Sequence, residues 1–181
     1  MSFKMYICNK IKKWLKDTKA VTAMESAFIF PVLATFLLGV VDVGTSVVIN
    51  TKVITATQIA SDLITRDSIA TTEDINEARL AAEAALIPYF DASEFGIDIA
   101  GVLFVGEEAL PAEQWRDTFN MPANTAAIAQ TSGLGLENEG VVVVTVEYRF
   151  EPRFAYFITG DILMREVSFV KGRDSAYVDR Q

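Results

Sequence analysis

Residues 26 to 49 constrain this chain more than any other stretch. Ser26 to Val41 carry no charge, and Phe28, Ile29, Phe30, Leu33, Phe36 and Leu37 fall among them. Asp42 interrupts the run, and Val43 to Ile49 add seven further uncharged residues. A helix rises about 1.5 Å per residue, so about 20 residues are needed to cross the hydrocarbon core of a bilayer. Sixteen residues fall short; extended past Asp42 the run is long enough. The expectation is a transmembrane helix, with membrane lipid as its surroundings.

Charge sets the expected orientation. Lys4, Lys10, Lys12, Lys13, Lys16 and Lys19 precede the run against Asp17 alone, a net of +5. The remainder carries ten basic and twenty-three acidic residues, a net of −13, which brings the chain to −8. Lysines beside a span stay in the cytoplasm. The acidic remainder is therefore expected on the far side as a periplasmic domain. It offers no basic face for nucleic acid. Cys8, the single cysteine, falls on the cytoplasmic side, so no disulfide framework supports the exported part.

The chain divides into a basic cytoplasmic leader (1–20), a transmembrane and extended helix (21–70) and an exported α+β domain (71–181). In the leader Tyr6, Ile7, Ile11, Trp14 and Leu15 alternate with lysines, which suits either an amphipathic juxtamembrane stretch or a removable leader. One long helix is expected from near Thr22 into the sixties. Pro31 removes one of its backbone hydrogen bonds, which membrane helices tolerate. Past the span, Val53, Ile59 and Leu63 suggest an apolar face. Thr71 with Asp74 reads as a capping box opening a second helix that ends before Pro88, with Ile75, Ala78, Ala82 and Leu86 on one face. "FGIDIAGVLFV", "EGVVVVTVEYRF" and "DILMREVSFV" read as strands, and "EQWRDTFN" as a fourth. The fold class is α+β: a long N-terminal helix, a second helix and a small antiparallel sheet packed on helix.

Catalytic constellations are lacking. The chain has no histidine for a triad or a zinc site, no exported cysteine nucleophile and no glycine-rich phosphate loop with its lysine. "SGLGLENEG" lacks the strand-before, helix-after context of a dinucleotide site and reads as a loop. Glu107 with Glu108, and Asp91 with Glu94, read as solvated charge, and Arg165 and Glu166 as strand decoration. A non-enzymatic protein without cofactor or metal is expected.

Glu25, at the lip of the apolar run, needs a reason, because a carboxylate there is unfavourable. The stretch "KAVTAMESAFIFPV", followed by "GVVDVG" with Gly39, Asp42 and Gly44 and then by "QIASDLITRD", resembles the TadE-like proteins. These are minor pseudopilins of the tight-adherence (Tad, or Flp) type IV pilus system. The likeness covers about fifty residues, from Asp17 to Arg66. It implies a pilin-like exported domain, an inner-membrane location and a role in pilus biogenesis and adhesion. The implied partners are other pilus or pseudopilin subunits, the inner-membrane assembly machinery and a prepilin peptidase. The implied cleavage lies between Ala20 and Val21, where this chain has alanine and relatives usually have glycine. Glu25 would then be residue five of the mature chain, pairing with the terminal ammonium of a neighbouring subunit. A carboxylate complementing the helix dipole is the bland alternative. Asp42 either ends the hydrocarbon segment or joins a helix–helix contact that Gly39 and Gly44 let approach closely. The competing functions are a membrane-anchored periplasmic binding module unrelated to pili, and a cleaved secretory protein, for which no A-x-A site follows the apolar run. The mature N-terminus separates all three.

Overall fold

The computed structural model describes residues 18–154, 156–173 and 175–181, so the leader through Asp17, with Cys8, lies outside the described residues. Helix α1 spans Thr18–Ile64 without a break at Pro31. Strand β1 (Ile69–Ala70) follows, then helix α2 (Thr72–Ala85) and the long strands β2 (Phe95–Val105) and β3 (Leu110–Phe119). Helix α3 (Thr125–Gln130), β4 (Gly140–Phe150), the single turn α4 (Tyr156–Thr159), β5 (Ile162–Val170) and β6 (Asp179–Arg180) complete the order.

The long strands form one antiparallel sheet in the order β3-β2-β4-β5. Three strand segments and the capping box thus lie where the sequence places them, and "EQWRDTFN" belongs to a strand that begins earlier, at Leu110. The valines of "EGVVVVTVEYRF" explain the sheet's centre, since β4 is covered on both faces and reads as a near-continuous apolar run.

One sheet face packs on the helices. Phe95, Ile97 and Ile99 from β2, Val142, Val144 and Val146 from β4, and Trp115 from β3 meet α1 and α2 in a single core. The face of α2 is the expected one: Ile75, Ala78, Ala82 and Leu86 are all buried. The face of α1 matches expectation in part, since Val53 is buried and Leu63 packs against the core. Ile59 is 36% exposed, and the buried positions are Ile49, Val53, Ala56, Ala60 and Ile64. Their spacing of three or four residues keeps one stripe on the core. Its small members let α2 approach closely, a role that a scan for large apolar residues passes over. Thr57, Ser61 and Thr65 are also buried, and each hydroxyl donates to the carbonyl four residues earlier, so no hydroxyl is left unpaired.

The other sheet face holds a smaller cluster of Val102, Phe104, Ala127, Val141 and Val143. The loop after α3 crosses it: a Cβ on Gly135 would stand 2.2 Å from the Phe104 ring, so only glycine fits there. "SGLGLENEG" is this loop. The C-terminal segment returns to the start of the domain, where β6 pairs in parallel with β1 and Trp115 Nε1 donates to Val178 O at 2.9 Å.

Candidate functional site: the apolar helix and the loop it holds

The first half of α1 is bare. Val21, Phe28, Phe30, Val32, Phe36 and Leu37 are exposed, and exposed apolar residues continue through Val40, Val41, Val43, Val47 and Val48. Successive positions step about 100° around the helix, so they cover its whole circumference rather than one face. The helix is long and apolar enough to cross a membrane. Ala20 and Val21 both lie within it, and Val21 is exposed. Glu25 is exposed one turn further on, and among the described residues no salt bridge reaches it. At Pro31, which cannot donate, Thr35 Oγ1 donates to the proline carbonyl at 2.9 Å. Gly39 and Gly44 face open space, since an added Cβ at either meets nothing within 4 Å.

Asp42 breaks this pattern. It is 5% exposed in a segment whose neighbours are bare. Its carboxylate accepts from two consecutive backbone amides of the β4–β5 connection, Phe154 N at 2.7 Å and Arg153 N at 3.3 Å. Those partners are more than a hundred residues away in the chain. Within one chain, then, Asp42 fastens a loop of the folded domain to the apolar helix. Of the residues grouped in "GVVDVG", the structure gives a tertiary partner to Asp42 and leaves the space beside Gly39 and Gly44 open.

A cleft of about 620 Å³ lies beside this contact, lined among others by Asp42, Thr45, Tyr89, Glu94, Arg149 and Phe154. The Tyr148 hydroxyl crosses to donate to Tyr89 O, joining β4 to the segment between α2 and β2. Burial, and then the nearby Asp91 and Glu94 carboxylates, hold the Tyr148 hydroxyl above its ordinary pKa. Lys52 on α1 closes the end of α2, donating to Ala85 O at 3.1 Å and Ile87 O at 2.7 Å. Among the described residues no group of three or more acidic, cysteine or histidine side chains could hold a metal ion.

A second acidic residue is buried on the sheet face away from the helices. Asp98, 3% exposed, accepts from Asn124 N at 2.8 Å and Arg116 Nη1 at 3.2 Å. Burial raises its pKa against those two, and the Glu113 and Glu147 carboxylates add to the rise. Arg116 also grips Glu113, and Arg165 pairs with Glu147 across the strands. Arg165 is thus an ion-pair partner rather than free decoration. The sequence signal for Asp98 is a lone acid inside the apolar run "FGIDIAGVLFV". Glu107, Glu108 and Asp91 are exposed. Comparison with protein-family models, curated proteins and solved structures returns no match to this chain.

Proposed function

We propose that this chain is a non-enzymatic, single-pass subunit of a Tad/Flp-type pilus assembly, a TadE-like minor pseudopilin of the bacterial inner membrane. Its N-terminus lies in the cytoplasm and its α+β domain in the periplasm. One observation supports this reading most: α1 is an unbroken helix with two different halves. The first half is apolar around its whole circumference, and the second is the spine of the folded domain. A subunit that waits in the bilayer and then moves into a fibre needs that continuity, because the domain must travel with its anchor as one body.

In this reading a prepilin peptidase cuts between Ala20 and Val21, leaving a new ammonium at Val21. Glu25 stands four residues on, on the same side of the helix. Its carboxylate, unpaired among the described residues, takes the ammonium of a neighbouring subunit as its partner. In a medium of low dielectric that attraction is strong, and stranding one member of such a pair costs about 3–5 kcal/mol.

The test has two parts. Sequencing the N-terminus of the membrane form should give a chain beginning at Val21. Glu25→Gln keeps size and hydrogen-bonding capacity without the charge. It should leave membrane abundance unchanged while lowering surface pilin and adhesion. A chain beginning at Met1 together with normal piliation in Glu25→Gln would refute the proposal. The cleft beside Asp42 would then favour a membrane-tethered binding module.

A further inference from the structure

We infer that Arg153, Phe154 and Tyr156–Gly160, between β4 and β5, form a second membrane contact, seated in the lipid headgroup region of the bilayer face from which α1 emerges. The inference rests on α1 being the membrane span of the proposed function. It goes beyond that reading by assigning a lipid-facing role to part of the exported domain.

The argument is one of depth. From Val21 to Val48 the exposed apolar band of α1 runs about 40 Å at 1.5 Å per residue. That exceeds the ~30 Å hydrocarbon core and matches the ~40–45 Å that includes the headgroup regions. Asp42 lies about 32 Å along this band from Val21. Val48, still exposed and apolar, lies about 9 Å beyond it. The loop reaches down to Asp42: Phe154 N and Arg153 N are hydrogen-bonded to its carboxylate, and Phe154 lines the cleft with Val41 and Thr45. Whatever medium covers Val43, Val47 and Val48 therefore also reaches this loop.

The chemistry of the loop suits that level. "RFAYFITG" contains one basic residue and no acid, while Glu151 and Asp161 bracket it on the exposed stems. Phe154 and Tyr156 are exposed, Tyr156 at 54%. Aromatic side chains with one polar end and flanking arginine are the residues that favour the membrane–water boundary. The carboxylate that would be costly there accepts hydrogen bonds from the loop's own amides, so Asp42 and the loop each lower the other's penalty. A lipid surface is the occupant that fits, because the band at this level continues that of Val21 to Leu38, whose exposed apolar residues face every direction around the helix. A single protein partner would cover one side.

The test places single cysteines in a Cys8→Ser background at Tyr156, Phe36 and Leu136, each carrying a nitroxide spin label. The full chain is reconstituted in vesicles of phosphatidylethanolamine and phosphatidylglycerol. Leu136, 72% exposed on the loop after α3, reports water, and Phe36 reports the middle of the span. Exposure to a water-soluble nickel chelate should be several-fold lower at Tyr156 than at Leu136, and oxygen exposure should lie between those of the two controls. The values should not change as the lipid-to-protein ratio is raised. A label at Tyr156 as accessible to the chelate as that at Leu136, with Phe36 deep, overturns the inference and leaves the anchor standing. Protection that fades as lipid is added assigns the loop to a second copy of the chain and also overturns it. An aqueous Phe36 removes the anchor and the inference together.

Discussion

Replacing Asp42 with alanine should release the β4–β5 connection while leaving the rest of the domain folded. Two amides, Phe154 N at 2.7 Å and Arg153 N at 3.3 Å, lose a charged acceptor. A hydrogen bond to a charged group contributes about 1.5–3 kcal/mol, and the longer of these belongs below that range. The pair together is then worth roughly 2–4 kcal/mol, which raises the open population of the loop about 30- to 700-fold. The effect is local, because the core of α1, α2 and the sheet does not include this contact. Arg153 makes the loop its own reporter, since trypsin cuts after arginine only where the backbone can extend into its cleft. In detergent, cleavage at Arg153–Phe154 should accelerate strongly in Asp42→Ala. Cleavage at exposed Arg66 is the internal reference. Asp42→Asn keeps one acceptor oxygen and should fall between. If Asp42 merely ended the hydrocarbon segment, all three proteins would be cut at Arg153 at the same rate relative to Arg66. That result would refute the tether.

Thr71→Ala removes the hydroxyl that accepts from Asp74 N and donates to Asp74 Oδ2, and should cost about 1 kcal/mol in urea denaturation at pH 7. The Thr71 hydroxyl, and then its backbone N–H, hold the Asp74 carboxyl below 3.8. That stabilisation is complete above 3.8 and is lost as pH falls through the folded value, so the gap between variant and parent should narrow in acid. Asp98 has the opposite sign: its carboxyl is raised above 3.8, mainly by burial. The parent therefore loses stability as pH rises from 3.8 through the folded value, and Asp98→Asn, which does not titrate, should gain relative to the parent over that window. Gly101→Ala sets a Cβ 2.2 Å from Trp115 Nε1. The indole must shift from its bond to Val178 O, costing about 1–3 kcal/mol with a change in tryptophan emission.

The sequence alone was enough for whatever depends on neighbours along the chain. The uncharged run from Ser26 to Val41 specifies a helix because an isolated apolar segment must satisfy its own backbone. Thr71 and Asp74 announce a helix start because the cap is made within one turn. The valine run of β4 specifies a strand, and the fold then covers both its faces. The same local logic located the buried stripe of α2. On α1 it located Val53 and Leu63 but not Ala56, Thr57, Ala60 and Ser61, which are buried and carry little hydropathy.

Tertiary structure alone decided who meets whom. Asp42 is read from sequence as the end of an apolar segment or a point of helix contact, and it is neither marked for nor adjacent to Phe154. Their meeting depends on the β4–β5 connection falling beside α1 once β4 and β5 pack on that helix. Asp98 and Arg116 likewise meet only because the register of β2 and β3 sets Ala100 opposite Arg116 and brings Asp98 within reach on the same face. β1 and β6, two residues each, have no periodicity to announce them and exist because the C-terminal segment returns beside the residues that follow α1. Periodicity states which face of an element is buried, since burial depends on the residue's own hydration. It does not state against what, since that choice belongs to the one arrangement of all the elements that closes the core.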